Sequence, residues 1–223
     1  APSPTPRPAR SRGGSGPVTT SPDSGARRTA ILEAAAKVFL RYGYRKTSMD
    51  DLARAAGLSR QGLYLHFETK EALFQAAILG VIEGARAAYL SALAREELPL
   101  FDRVLGAFEA FHGCHIGQLG EQYVGEILEA AASLLGDAPA EHERRFVADV
   151  TEALAGDPGL GRTGPGIGPR ELAETLCATS YGLKHRVATP AEYRDRMAVA
   201  LRIALPGVPP GRRDAASARP RKR

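Results

Sequence analysis

Apolar residues recur at Ile31, Ala34, Ala35, Val38, Phe39 and Tyr42, a spacing of i, i+3, i+4, i+7, i+8 and i+11. That period lines one face of an α-helix and does not fit the strict alternation of a half-buried strand. Gly43 follows the last apolar position, where a helix end favours a left-handed residue. Punctuation of the same kind then repeats at short intervals. Thr47 stands as the expected N-cap of a second helix with Met49, Leu52, Ala53 and Ala56 inward, and Gly57 stops it. Ser59 caps a third helix whose Leu63 and Phe67 face a core, and Thr69 caps a fourth with Leu73, Phe74, Ala77, Ile78, Val81 and Ile82 on one side.

Beyond this cluster the periodicity predicts helices near 99–115, 121–136, 139–155, 170–187 and 190–205. Alternating β-branched runs are hard to find, so the expected class is all-α. Between Gly156 and Pro169 stand six Gly and three Pro, which can only be a loop. A chain of 223 residues suits one small domain plus a larger one. The expected division is a tail over 1–22, a small helical module over 23–74, a larger helical domain over 75–205 and a second tail over 206–223. Both tails are rich in Pro, Ser, Gly and Arg with little to bury, and are expected to be disordered. They either lend weak, salt-sensitive affinity for a polyanion or simply solvate the chain.

Charge is unevenly distributed. Residues 1–28 carry five Arg against Asp23, and 206–223 carry six basic groups against Asp214. Residues 29–74 hold seven basic and five acidic groups, whereas 75–205 hold twelve and eighteen. A polyanion would therefore be met by the front of the molecule and not by its bulk. Two cysteines, Cys114 and Cys177, make no disulfide framework, and the expected setting is a reducing cytoplasm. No membrane-spanning run and no apolar signal core are expected.

The stretch from Thr47 to Phe67 carries the functional argument. A short helix ending at Gly57, followed two residues later by the cap of a new helix, is helix-turn-helix geometry, in which the second helix enters the DNA major groove. With Leu63 and Phe67 inward, Arg60, Gln61 and Tyr64 point outward, and Gly62 lets the backbone approach closely. Arg grips guanine O6 and N7, Gln pairs with adenine, and Tyr packs on a thymine methyl or bonds a phosphate. Taken singly, Tyr64, His66, Gly57 and Thr47 are equally ordinary surface residues or helix punctuation.

The run Thr47-Ser48-Met49-Asp50-Asp51-Leu52-Ala53-Arg54-Ala55-Ala56-Gly57-Leu58-Ser59, with Leu63-Tyr64-Leu65-His66-Phe67 and Lys70-Glu71-Ala72-Leu73, resembles the signature of TetR-type regulators. The resemblance covers about a fifth of the chain. It implies that Arg60, Gln61, Gly62 and Tyr64, beside the cap Ser59, meet bases or nearby sugar-phosphate, and that Thr47, Ser48, His66 and Lys70 hold phosphates. Lys70 opens a helix, where dipole and free N–H groups favour an anion. Gly62 departs from the pattern, since relatives more often carry Thr or Ala there.

The larger segment has no phosphate loop and no nucleophile elbow, so no catalytic residue, cofactor or enzyme activity is expected. Glu126 and Glu129 read as a solvated pair. His112, Cys114 and His115 are too few and wrongly spaced for a closed metal site, so no metal is expected. The resemblance implies an effector-binding and dimerising bundle. Leu172, Leu176, Thr179, Leu183 and Val187, flanked by Ala178, Ser180 and Gly182, form one stripe; Tyr193, Met197, Ala200, Leu201 and Ala204 form another. These helices, near 170–187 and 190–205, are the expected homodimer interface, the alternative being that both stripes pack inside the monomer. Phe108, Phe111, His112, Tyr123, Ile127, Cys177 and Tyr181 are the expected pocket for a small apolar or amphipathic effector, though core packing explains the same composition. The expected function is a ligand-responsive repressor binding a palindromic operator as a dimer. An activator or ligand-independent regulator of the same fold stands beside it. So does, from another class, a helical carrier or enzyme whose N-terminal bundle is incidental.

Overall fold

In the computed structural model, which describes residues 22–113, 116–117, 123–157, 166–206, 208 and 211, the first apolar stripe forms α1 (Pro22–Tyr42). Gly43 ends it with φ +83°, its N–H donating to Phe39 O at 2.8 Å. Tyr42, expected to face the core, is instead exposed. The chain reverses at Gly43, and Tyr44 takes that place, 4.8 Å from the ring of Phe74. A β-carbon on Gly43 would sit 3.0 Å from the ring of Tyr123 as well as in a left-handed conformation. Gly43→Ala is therefore expected to lose about 1–2 kcal/mol in urea denaturation, with an unchanged transition refuting both causes.

Next come α2 (Met49–Ala55) and α3 (Arg60–Tyr64). Ser48, not Thr47, caps α2: its hydroxyl accepts the Asp51 N–H and Asp51 answers at the Ser48 N–H. Thr47 and Ser48 each stand three residues before a carboxylate, Asp50 and Asp51, but the Thr47 hydroxyl is committed elsewhere. Thr47 is buried, and its hydroxyl donates to Gly43 O at 2.6 Å. Gly57, φ +67°, closes α2 as the Leu58 N–H reaches Ala53 O at 2.9 Å and the Gly57 N–H reaches Arg54 O at 3.2 Å.

The fourth helix, α4 (Lys70–Leu93), is shared by two cores. Its first half places Leu73, Phe74, Ala77 and Ile78 against Phe39, Leu52 and Leu63; its second half places Tyr89 and Leu93 against α5 (Leu100–Phe111). Although no membrane-spanning run is expected from the sequence, α4 is, among the described residues, the one helix long and apolar enough by length and composition to cross a bilayer. Its apolarity follows from serving two interiors at once.

The larger unit adds α6 (Val124–Leu135), α7 (Ala138–Ala155), α8 (Pro169–Lys184) and α9 (Pro190–Ala204). Phe146 stacks on Phe111 at 3.9 Å and meets Tyr89 and Phe108 edge-on. All described elements are helical. The stripes of α8 and α9 pack on this core: Leu172, Leu176, Tyr193, Met197 and Leu201 are buried, with Leu183, Val187, Ala200 and Ala204 packed beside them. Their outer faces instead expose Tyr181, Val199 and Ile203. The expected tails fall mainly outside the described residues, but the chain stays attached beyond 205. Val208 packs on the larger core, and the Gly211 N–H donates to the Asp102 carboxylate at 2.6 Å. Of the expected Gly/Pro-rich loop over 156–169, residues 158–165 lie outside the described residues, and Pro169 is already the first residue of α8.

Candidate nucleic-acid interface

Local sequence sets the attitude of α3. The Ser59 hydroxyl accepts the Gly62 N–H at 3.0 Å, starting the helix, and Leu63, fully buried, fixes which face turns inward. Arg60, Gln61 and Tyr64 project outward and are exposed. Regular helix ends at Tyr64, but the N–H groups of His66 and Phe67 both reach Leu63 O, so the chain keeps turning and Phe67 is buried. Arg28 on α1 pins this end. Its guanidinium lies 4.4 Å from the centre of the Phe67 ring and donates to His66 O at 3.4 Å.

The Arg60 guanidinium is held from two sides. Its Nη1 donates to Asp50 Oδ2 at 3.1 Å across the turn, and its carbon stands 5.7 Å from the Tyr64 ring. Hydrogen bonding to Tyr64, then the Asp50 charge, raise its pKa above the already high arginine value.

Around α3 the expected phosphate ligands differ in what they have left to offer. Ser48 is exposed, but its hydroxyl already donates to Asp51 Oδ2 at 2.6 Å, and these bonds hold the Asp51 carboxyl below its usual range. His66 is half-buried. Lys70 is half-buried and gives two N–H bonds to the α1–α2 loop, to Tyr44 O at 3.1 Å and Thr47 O at 3.3 Å. Its ammonium also sits 4.4 Å from the Tyr44 ring. Two of its three N–H groups are thus engaged. Burial, followed by the Glu71 carboxylate that accepts its hydroxyl at 2.9 Å, pushes Tyr44 up to about 12, so it stays a donor. Thr47 has no side-chain surface to offer.

Sequence reasoning missed the contact of α6 with this module. Glu126 accepts the Arg45 N–H, Glu129 pairs with the Arg45 guanidinium at 2.8 Å, and Lys46 stands 5.2 Å from the Tyr123 ring. Glu126 and Glu129 are thus engaged with the loop before α2. Their i, i+3 spacing marked a shared face, but nothing local to them names a partner more than eighty residues away.

The seven residues expected to line one pocket divide between two regions. Ile127 lies in the core of the small module, with Tyr123 on its rim; Phe108, Phe111, His112 and Cys177 are buried in the larger unit, and the exposed Tyr181 stands edge-on to His112 at 6.2 Å. Buried polar groups link three helices there. His112 Nδ1 meets Ser180 Oγ at 2.6 Å, Ser180 meets the Tyr193 hydroxyl, and that hydroxyl donates to Phe108 O at 3.1 Å. Burial, then the Glu143 carboxylate, push the Cys177 thiol up to about 12, so it stays protonated. Cavities of about 650 Å³ between α4, α5 and α7 and about 370 Å³ between α5 and α9 include none of the seven. Cys114 and His115 lie outside the described residues.

Comparison with known proteins converges on one module. Residues 31–77 match the family model described as bacterial regulatory proteins, tetR family. An uncharacterized HTH-type transcriptional regulator, YfiR, of Bacillus subtilis is 41% identical over 71 residues, 31% of this chain and 35% of that protein. The HTH-type transcriptional repressor ComR of Escherichia coli is 34% identical over 87 residues, 39% of this chain and 41% of that one. The matched stretch thus spans well under half the length of these relatives. In fold the likeness extends further. A structure of AibR in complex with isovaleryl coenzyme A and operator DNA superposes with a TM-score of 0.56 at 22% identity, covering 81% of this chain and 99% of that one.

Proposed function

We propose that this chain, whose residues 31–77 match the tetR family of bacterial regulatory proteins, is a member of that family, a DNA-binding transcriptional regulator that acts as a ligand-responsive repressor. The observation that carries the proposal is α3 itself: a capped helix seated by the buried Leu63, whose outward residues Arg60, Gln61 and Tyr64 are exposed. Those three side chains supply a fork of donors, an amide and an amphipathic ring, the groups that distinguish base edges in a major groove. Ser59, Ser48, His66 and the remaining N–H of Lys70 surround them as phosphate contacts, with the Gly62 backbone close to the duplex. Thr47 acts from beneath, holding the loop through Gly43.

Two copies would grip a palindromic operator, each through one α3. The surface for pairing is the outer face of α8 and α9, where α8 exposes Tyr181, Gly182 and His185 and α9 exposes Val199 and Ile203. A small apolar or amphipathic effector would act through the larger unit; the AibR structure, of the same fold, holds isovaleryl coenzyme A together with operator DNA. The contacts from Tyr123, Glu126 and Glu129 to the α1–α2 loop supply a path by which a shift of α6 reaches the reading head.

Gel shift on the DNA flanking the chain's own gene tests the proposal. A sequence-preferring complex that weakens with salt is expected, whereas a carrier or enzyme with an incidental helix bundle would give none. An effector found by thermal shift should raise the melting temperature and lower operator affinity, since coupling between two sites is reciprocal. A ligand that stabilises the protein yet leaves operator affinity untouched would remove the sensing half of the reading for that ligand.

A further inference from the structure

We propose that Asp50 is a positioning residue for Arg60, holding its guanidinium across the helix-turn-helix so that the remaining N–H groups are presented to one base. This rests on the DNA-reading function proposed above. The observation is the bond from Arg60 Nη1 to Asp50 Oδ2 at 3.1 Å, made between two helices and ten residues apart in the chain. Asp50 stands in the first turn of α2, and Arg60 opens α3. The Tyr64 ring, one turn further along α3, bounds the guanidinium from the other side.

The pair does little for the free protein. Both side chains are more than half exposed, at 60% and 51%, and a solvated ion pair of that kind is screened. Its consequence lies in the complex. A long arginine side chain loses much rotamer freedom when it locks onto a base, and a partner that already restricts it lowers that loss. The fork has five N–H donors, so one given to Asp50 leaves enough for a two-bond contact with guanine O6 and N7. Once DNA excludes water from the turn, the carboxylate is screened less and holds the fork more firmly. A carboxylate facing a duplex also repels phosphate, so Asp50 should weaken binding to DNA in general while sharpening it at one base pair.

Those opposed effects make the test. Wild type, Asp50→Ala, Arg60→Ala and the double variant are each measured by fluorescence anisotropy on the operator, on operators changed at each base pair, and on unrelated duplex. For Asp50→Ala we expect affinity for unrelated duplex to rise about two- to fivefold. Preference at the base pair that Arg60 reads should fall by about three- to tenfold. In the Arg60→Ala background the same change should leave base preference unmoved. Asp50→Asn, which keeps the size but not the charge, should fall between. If Asp50→Ala lowers the melting temperature, Asp50→Asn decides in its place. Unchanged base preference, or a rise in operator affinity equal to that for unrelated duplex, overturns the proposal. The latter would mark the pair as a latch that DNA must break. If wild type itself shows no sequence preference, the DNA-reading function fails first, and that outcome is separate from the others.

Discussion

A glutamate in place of Ile203 is expected to leave a folded monomer whose operator affinity is lower by about two orders of magnitude or more. One α3 reads too little DNA alone, and joining two in a dimer makes the second contact intramolecular, at an effective concentration around millimolar. Ile203 is 77% exposed, so a charge there is solvated in the single chain and becomes costly only when a second copy covers it. Sedimentation at micromolar concentration reads the assembly and anisotropy the affinity. Undisturbed dimers would move the interface elsewhere on the molecule; monomers with full operator affinity would end the dimeric reading. Leu183→Glu supplies the contrast. Leu183 packs against the core of the larger unit, so a charge there should unfold the chain before it separates two copies.

Arg60→Ala is expected to cost about 1–3 kcal/mol per half-site, hence about 2–6 kcal/mol for a dimer, and to flatten the preference at one base pair. Its side chain is the only fork on the outward face of α3. Lys70→Ala should behave differently. Its remaining N–H reaches phosphate, which carries no sequence information, so all sequences should weaken alike and the salt dependence should fall by roughly one ion per subunit. Because Lys70 also holds Tyr44 O and Thr47 O, this variant should in addition melt earlier, by about 1–2 kcal/mol of lost bonds. Site selection from random duplex at two salt concentrations, run for both variants, separates them. Full wild-type preference in Arg60→Ala would make Arg60 a backbone contact and leave specificity to Gln61 and Tyr64.

What was legible without the structure is local in kind. Stripes at helical period, the left-handed glycines at 43 and 57, the caps Ser59 and Thr69, and the outward set Arg60, Gln61 and Tyr64 all depend on residues within about a turn of each other. Short-range sterics and hydrogen bonds act there with the same sign in any fold. The cap of α2 is the local exception, because the hydroxyls at 47 and 48 each precede a carboxylate by three residues, and burial of Thr47 against Gly43 O leaves the role to Ser48.

Tertiary structure decided the questions of partnership. A stripe such as Leu172, Leu176 and Leu183 states that something apolar covers it, but not whether that cover belongs to the same chain. Here α7 and α9 supply it, so the opposite face, with Tyr181, Val199 and Ile203, is the one left to solvent. Likewise Ile127 joins the small module's core and parts from Phe108, Asp50 meets Arg60, and Glu129 meets Arg45. The hydrophobic effect is non-directional, and a charge accepts any opposite charge within reach. The chain alone therefore determined which surfaces need covering and which groups need partners; the packing of α4 between two cores determined who meets whom.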